Sequence, residues 1–418
     1  MSNAAPRTGS RYRYLIEASL LLLNIGLGMS FLSPAPLFTQ IIEAFQIDRA
    51  TVSLLIGIPS LSIAILLVPA SIVAAKLGPR LSLLIGGSLI STAMFAPLAG
   101  NFAALAATRV AFACGATLVL SATPAVVMRW FVPRELPIVN GLNVMGQSIG
   151  IMTAMFLAPR IALSIGWAAA FFTFGAVAAV ATAFWLLVGR TSADASAPAA
   201  APFSIRALPA MLTDRPTVLL GIGVAGALGT FITFTSWLPT YWQEAFGFSL
   251  EQAGTTAALL SGFGIVGSAL GSTLPSRFPR RRPFLIVSGV LLPVFAVGCF
   301  ALNMPVVLLV SVAAFGVLGW VFMPIVFTIP MELPNMTAER VGVAIAMVLS
   351  AANLAGFVFP LLVGFLRDLT GGFTVALSLC AVLGLALAGA GYLMPETGAR
   401  PIDTSTLTPV DTVEATSV

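Results

Sequence analysis

Residues Phe102 to Met128 read FAALAATRVAFACGATLVLSATPAVVM, and a single charge, Arg109, interrupts an otherwise uncharged run. A bilayer has a hydrocarbon core about 30 Å thick, which roughly 20 helical residues cross. The run is therefore long enough to span a membrane. An arginine at the centre of such a span costs about 2.5–3.5 kcal/mol on insertion scales, so a chain that keeps one turns it toward a partner or a watery cavity. No other apolar run has a basic residue in its interior, and only one begins with an acid, Glu17. What Arg109 meets decides how the rest of the chain is read.

Composition supports the membrane reading. Of 418 residues, 58% are hydrophobic and 8% charged, with a mean hydropathy of +1.03. That leaves too little polar surface to face water. The net charge of +5 falls between the apolar runs, so it reads as a topology signal and not as a nucleic-acid surface. Cys114, Cys299 and Cys380 lie inside apolar runs and read as buried free thiols. The absence of histidine excludes HExxH zinc sites, histidine triads and histidine relays. No separate apolar stretch with a cleavage site precedes Leu15, so the first run reads as a retained span.

Charges, prolines and glycines divide the chain into twelve apolar runs: 15–42, 51–75, 81–99, 102–128, 137–159, 167–189, 217–242, 252–275, 284–302, 305–330, 341–366 and 374–394. Only helices and closed barrels satisfy their backbone in lipid, and runs of this length exclude the barrel. With the amino terminus inside, sixteen Lys and Arg fall on the cytoplasmic side. Three (Arg49, Arg160 and Arg367) fall outside, and Arg109 lies in the membrane. That bias places both termini in the cytoplasm. The expected organisation is a cytoplasmic tail (1–14), a six-helix bundle (15–189), a cytoplasmic linker (190–216), a second bundle (217–394) and a disordered cytoplasmic tail (395–418). The linker is rich in Ala, Ser and Pro, and the tail is polar, Thr-rich and acidic. A repeat at a fixed offset of 201 relates the halves: Gly28 falls on Gly229, Ser71 on Ser272, Lys76 on Arg277, Arg80 on Arg281, Pro133 on Pro334 and Gly141 on Gly342. The fold expected is all-α, with twelve transmembrane helices in two pseudo-symmetric bundles about an axis along the membrane normal.

The loop Ser71-Ile-Val-Ala-Ala-Lys76-Leu-Gly78-Pro-Arg80 resembles the signature loop of the major facilitator superfamily, with Lys76, Gly78 and Arg80 matching. Ser71 replaces the first glycine and Ala75 the aspartate. The second copy, ending Ser276-Arg277-Phe278-Pro279-Arg280-Arg281-Arg282, departs in the same way. In the family that acid helps to clasp the cytoplasmic gate. Here the basic residues Lys76, Arg80, Arg277 and Arg281 are expected to meet helix carboxyl ends instead. Arg109-Val-Ala-Phe-Ala113-Cys-Gly115 is similar to the family's fourth-helix motif, and Gly166-Trp167 with Ala170-Phe171 to its entry to helix six. Trp237-Leu-Pro-Thr-Tyr241 resembles the cyanate, nitroimidazole and nitrate-type bacterial branch, while Pro395-Glu-Thr397-Gly-Ala-Arg400 is similar to a sugar-porter motif. The resemblance implies an inner-membrane secondary transporter that rocks two bundles about a central site.

For Arg109 two readings stand side by side: a packing arginine bonded to backbone carbonyls or hydroxyls, and a fixed charge that attracts an anion. Near the outer end of its span it could also snorkel to water. Asn140, Asn143 and Gln147 share one helix face at i, i+3 and i+7. Buried amides need partners, and bonding between helices is their commoner use. Gly146 and Gly150 beside them permit close helix approach. Phe234, Trp237 and Tyr241 form an aromatic stripe, of which Trp237 is the candidate cavity wall while Tyr241 and Trp242 suit the outer interface. Asn24 and Asn353 are lone amides within apolar spans. Glu17 follows Arg13 by four residues, the spacing of an interfacial ion pair, and proton carriage is its alternative use. Pro34, Pro36, Pro124, Pro324 and Pro330 would bend helices and free carbonyls.

The expected function is secondary transport of a small organic or inorganic anion, with Arg109, Asn24, Asn143, Gln147, Trp237 and Asn353 at the substrate, Lys76, Gly78, Arg80, Arg277 and Arg281 in gating loops, and Glu17 as proton carrier. Export of lipophilic or drug-like compounds is the alternative. An enzyme would need a cluster of nucleophile, base or metal ligands, and a receptor a soluble signalling domain; the sequence offers neither. No cofactor or metal is expected. The partners expected are a small-molecule substrate, the lipid bilayer and no nucleic acid, with a co-transported or exchanged ion left open, and a monomer.

Overall fold

A computed structural model describes residues 11–132, 135–190, 208–278, 280–334 and 336–397. Most of the linker, much of both tails and Pro133 of the repeat lie outside these residues, as does the end of the Pro395–Arg400 motif. Twelve helices are long and apolar enough to cross a bilayer: α1 Tyr12–Phe45, α2 Arg49–Leu77, α3 Pro79–Leu98, α4 Phe102–Trp130, α5 Ile138–Ile165, α6 Trp167–Val188, α7 Arg215–Phe246, α8 Leu250–Pro275, α9 Arg282–Ala301, α10 Pro305–Glu332, α11 Arg340–Thr370 and α12 Thr374–Leu393. Among the described residues there is no strand.

Local chemistry sets where these helices start and break. Asp48, Asn101, Asp214, Ser249 and Thr337 cap α2, α4, α7, α8 and α11 by accepting a backbone N–H of the first turn. Gly78 has φ of 78° between α2 and α3, a backbone conformation open to glycine at little cost. Proline lacks an N–H, so α1 relaxes into a 3-10 turn at Ala35–Leu37, after Pro34, and α10 breaks ahead of Pro324.

Packing repeats between the halves. α1 lies against α5, and α7 lies against α11 in the equivalent manner. A Cβ on Gly28 would strike the Gln147 carbonyl, and one on Gly150 the Ile25 carbonyl, so glycine sets the α1–α5 spacing. Between the halves α2 meets α11 and α5 meets α8. Each is the second helix of one bundle on the fifth of the other, as a two-fold relation requires.

One face of the molecule carries both the start of α1 and the end of α12; it is called the terminal face below. On the opposite face charges cross between halves. Arg49 binds Glu244 at 2.9 Å and Asp368 at 3.3 Å, and Arg160 binds Glu251 at 2.6 Å, while Arg367 joins Glu244 at 3.0 Å within the second half. Below this layer Phe38 packs edge-on against Trp237 at 5.0 Å. Deeper still, Ser350 Oγ donates to the Ala64 carbonyl at 2.9 Å, and Gly262 faces Met152. Fifteen residues of α2 separate Arg49 from Ala64, a rise of about 22 Å. At the terminal face, by contrast, the ion pairs among the described residues stay within a half: Arg13 with Glu135 at 3.1 Å and Arg281 with Glu332 at 2.7 Å.

Candidate functional site

Arg109 is fully buried. It lies on α4 seven residues from the opposite face, about 10 Å deep. Its Nε donates to the Leu55 carbonyl at 2.8 Å, Nη1 to Ser30 at 2.7 Å and Nη2 to Phe31 at 2.7 Å. The Phe112 ring covers the guanidinium, 4.6 Å from its centroid. The sequence explains two of these acceptors. In an α-helix the carbonyl of residue i accepts from the N–H of residue i+4. For Ser30 that residue is Pro34 and for Leu55 it is Pro59, neither of which has an N–H. Arg109 thus supplies the donors that two prolines withhold from α1 and α2. Of its two readings the structure takes the carbonyl-bonded one. A snorkelling arginine is corrected, and so is direct contact with substrate in this conformation, because no part of the side chain is exposed.

A second polar group forms along the α1–α5 seam. Asn143 Nδ2 donates to Glu17 Oε1 at 2.8 Å, Asn24 Nδ2 to Asn143 Oδ1 at 2.9 Å, and Gln147 Nε2 reaches Asn24 Oδ1 at 3.5 Å. Asn143 and Asn24 also bond carbonyls of their own helices, Val139 and Leu20. Glu17 is 9% exposed and its Oε2 has no hydrogen-bond partner among the described residues. The expected ion pair of Glu17 with Arg13 does not form. Arg13 turns to Glu135, a charge that local spacing along one helix could not reveal. Asn140 shares the face of Asn143 but joins no side-chain hydrogen bond among the described residues.

The remaining candidates lie in the second half. Trp237 is fully buried, its Nε1 donating to the Pro360 carbonyl at 2.9 Å and its ring packed between Phe38 and Phe373. It borders no open wall in this conformation. Tyr241 and Trp242 are corrected from interface to interior: their polar atoms donate to the Phe300 and Cys299 carbonyls at 2.7 and 2.9 Å, tying α7 to the last turn of α9. Asn353 is half-buried and its Nδ2 bonds the Leu349 carbonyl of its own helix at 2.9 Å. Arg80 reaches the Leu186 carbonyl at 3.5 Å, at the carboxyl end of α6, and Arg282 bonds Gly391 and Tyr392 at the end of α12. Lys76 and Arg277 are exposed. Cys114, Cys299 and Cys380 are free thiols.

The residues that sequence reasoning missed are those of the opposite-face cluster. Arg49, Arg160 and Arg367 are the three basic residues that contradict the charge bias, and all three are held in ion pairs. That exception, set beside Glu244, Glu251 and Asp368 at neighbouring helix ends, was the available signal.

Among the described residues, twelve spanning helices in two equivalent bundles, closed against each other on one face, define a multi-pass membrane protein. The chain belongs to the major facilitator superfamily, whose sequence profile matches residues 19–360. It is 27% identical over 191 residues to the "probable galactarate/D-glucarate transporter GudP" of Escherichia coli K12, covering 42% of this chain and 40% of that one; the match thus spans about two fifths of that relative. It is 23% identical over 377 residues to the "probable nitrate transporter NarT" of Staphylococcus haemolyticus, covering 86% and 91%. In fold it is similar to a bacterial homologue of the human lysosomal transporter Spinster in an inward-facing, unoccupied conformation, with a TM-score of 0.72 at 16% identity over 92% of this chain and 95% of that one.

Proposed function

We propose that the protein is a secondary carrier of a small organic or inorganic anion in the inner membrane, exposing one site alternately to the two faces as its halves rock. The observation that carries the anion is the charge of Arg109. Its carbonyl partners are neutral dipoles, and among the described residues no carboxylate lies within ion-pair distance. A guanidinium keeps its proton, so a full positive charge stays inside the membrane and attracts anions between low-dielectric walls. The two curated relatives carry the names of anions, which supports the same reading.

In this account Arg109 acts through its field, while Asn24, Gln147 and Asn353 offer hydrogen bonds to the substrate. Asn143 holds Glu17, which carries the coupling proton, and Trp237 becomes a wall once the opposite face opens. The cross-half ion pairs on that face, which have no counterpart among the described residues of the terminal face, support rocking, with the terminal face cytoplasmic by its arginine excess. At an effective dielectric of about 20, a unit charge roughly 12 Å away is worth about 1.4 kcal/mol, or tenfold in affinity. Arg109→Gln should therefore raise the KM for nitrate or an aldarate about tenfold in proteoliposomes, while Arg109→Lys should hold it near the wild-type value. Both variants are checked for folding by their Tm. An unchanged KM in folded Arg109→Gln would refute the anion.

A further inference from the structure

A cluster of arginines at the terminal face has no part in that carrier scheme. Where α3 begins and α4 and α6 end, Pro79, Arg80, Val126, Arg129, Trp130, Trp185 and Arg190 line a shallow surface cleft. All three arginines are exposed, and among the described residues none forms an ion pair. Arg80 spends one donor on the Leu186 carbonyl at 3.5 Å, and Arg190 lies 4.8 Å over the Tyr12 ring. Arg129 makes no hydrogen bond at all among the described residues. The floor is aromatic: Trp185 donates to the Arg80 carbonyl at 3.1 Å, and Trp130 packs on Tyr12 at 5.8 Å.

Arginines that serve only topology have no reason to converge on one cleft, and the repeat supplies a comparison. The counterpart of Arg80 in the second half is Arg281, which binds Glu332 and whose backbone N–H meets Glu396. Two acids meet that arginine. In the first half the position equivalent to Glu332 is Phe131, so the corner keeps its positive charge. The cleft also faces outward, since the helices on which α3 and α6 pack extensively belong to the first half. Beside it Leu77, Leu81, Leu186 and Leu187 are 40–80% exposed, an apolar flank at the level where aromatic side chains meet headgroups.

We propose that this cleft binds an anionic glycerophospholipid, its phosphate on Arg80, Arg129 and Arg190 and its acyl chains along the leucine flank. Guanidinium groups pair with phosphate oxygens in a fixed fork, and basic pockets between membrane helices suit acidic headgroups. The lipid joins the ends of three helices that no side-chain ion pair among the described residues connects. An arginine near such a surface is worth about fivefold in affinity, so removing two should weaken binding roughly twenty-five-fold.

The test is titration of the purified full-length protein in neutral detergent with phosphatidylglycerol, phosphatidylcholine or inorganic phosphate, read by Tm and by lipid adducts in native mass spectrometry. Wild type should be stabilised by phosphatidylglycerol alone. Arg129→Gln/Arg190→Gln should lose that response, and Arg277→Gln/Arg280→Gln, which removes the same charge from the second half, should keep it. Because Arg129 makes no hydrogen bond or ion pair among the described residues, the single Arg129→Gln variant should preserve the fold and show about a fivefold loss. Equal loss in the second-half variant would mean diffuse charge, and equal stabilisation by inorganic phosphate a soluble-anion site. Either result, or an undiminished response in Arg129→Gln/Arg190→Gln, overturns the proposal.

Discussion

Arg109 shows how a costly residue is kept in a membrane. Two prolines leave acceptors unpaired on two different helices, at Ser30 and Leu55, and one guanidinium from a third helix reaches both. An unsatisfied carbonyl in a dry interior is expensive, so arginine and prolines should be energetically coupled. Arg109→Met leaves the Leu55 carbonyl bare; adding Pro59→Ala returns an N–H to it from within α2. Pro59→Ala should therefore cost less stability, or even gain some, in the Arg109→Met background than in wild type. A double-mutant cycle read by unfolding in mixed micelles should give a coupling of about 1–2 kcal/mol, and a coupling near zero would show that the shared carbonyl is irrelevant. The sequence contained every part of this arrangement: Arg109 in an apolar run, and prolines that free carbonyls. It could not show that α1, α2 and α4 converge at one depth, because that depends on packing between helices far apart in the chain.

At the scale of the helix, the reading from sequence held well where apolar length decides the matter and poorly where partners do. All twelve spans occur, mostly longer at their ends than the apolar runs because capped polar turns extend them, as at Asp48 and Asp214. The α1–α5 seam was half legible. Helical spacing placed Asn143 and Gln147 on one face, yet i, i+4 spacing also offered Glu17 to Arg13, and Glu135 from the loop ahead of α5 took the arginine instead. Glu17 is left with one hydrogen bond, from Asn143, and a bare Oε2. A carboxyl group in that position either holds a proton or leaves a charge in a poorly solvated seam, and movement of α1 against α5 during transport would change which is favoured. Glu17→Gln keeps the shape and the contact with Asn143 while removing titration. Its substrate uptake should lose its dependence on an imposed proton gradient, while counterflow exchange at equal pH continues. Gradient-driven uptake equal to wild type would assign the coupling to another group.

For the whole molecule the informative charges are those on the wrong side. Arginine is in excess at the terminal face, and the exceptions Arg49, Arg160 and Arg367 are each held in an ion pair, Arg49 and Arg160 with acids of the other half. Such pairs are partly exposed and weak, about 0.2–1 kcal/mol each. Weakness suits a closure that must open in every cycle, since a tight clasp would trap one state. Replacing Arg49, Arg160 and Arg367 together by Gln should leave the fold intact and shift the balance between the two facing states by about 1–3 kcal/mol, roughly 5–150-fold. Spin labels placed at the opposite-face ends of α2 and α11 report that shift as a growing population at long distance. The same variant should show raised accessibility from that face and slower net transport, because the state closed there becomes the rare one. If the distance distribution stays that of wild type, hydrophobic packing around Phe38 and Trp237 closes the face by itself, and the ion pairs only decorate it.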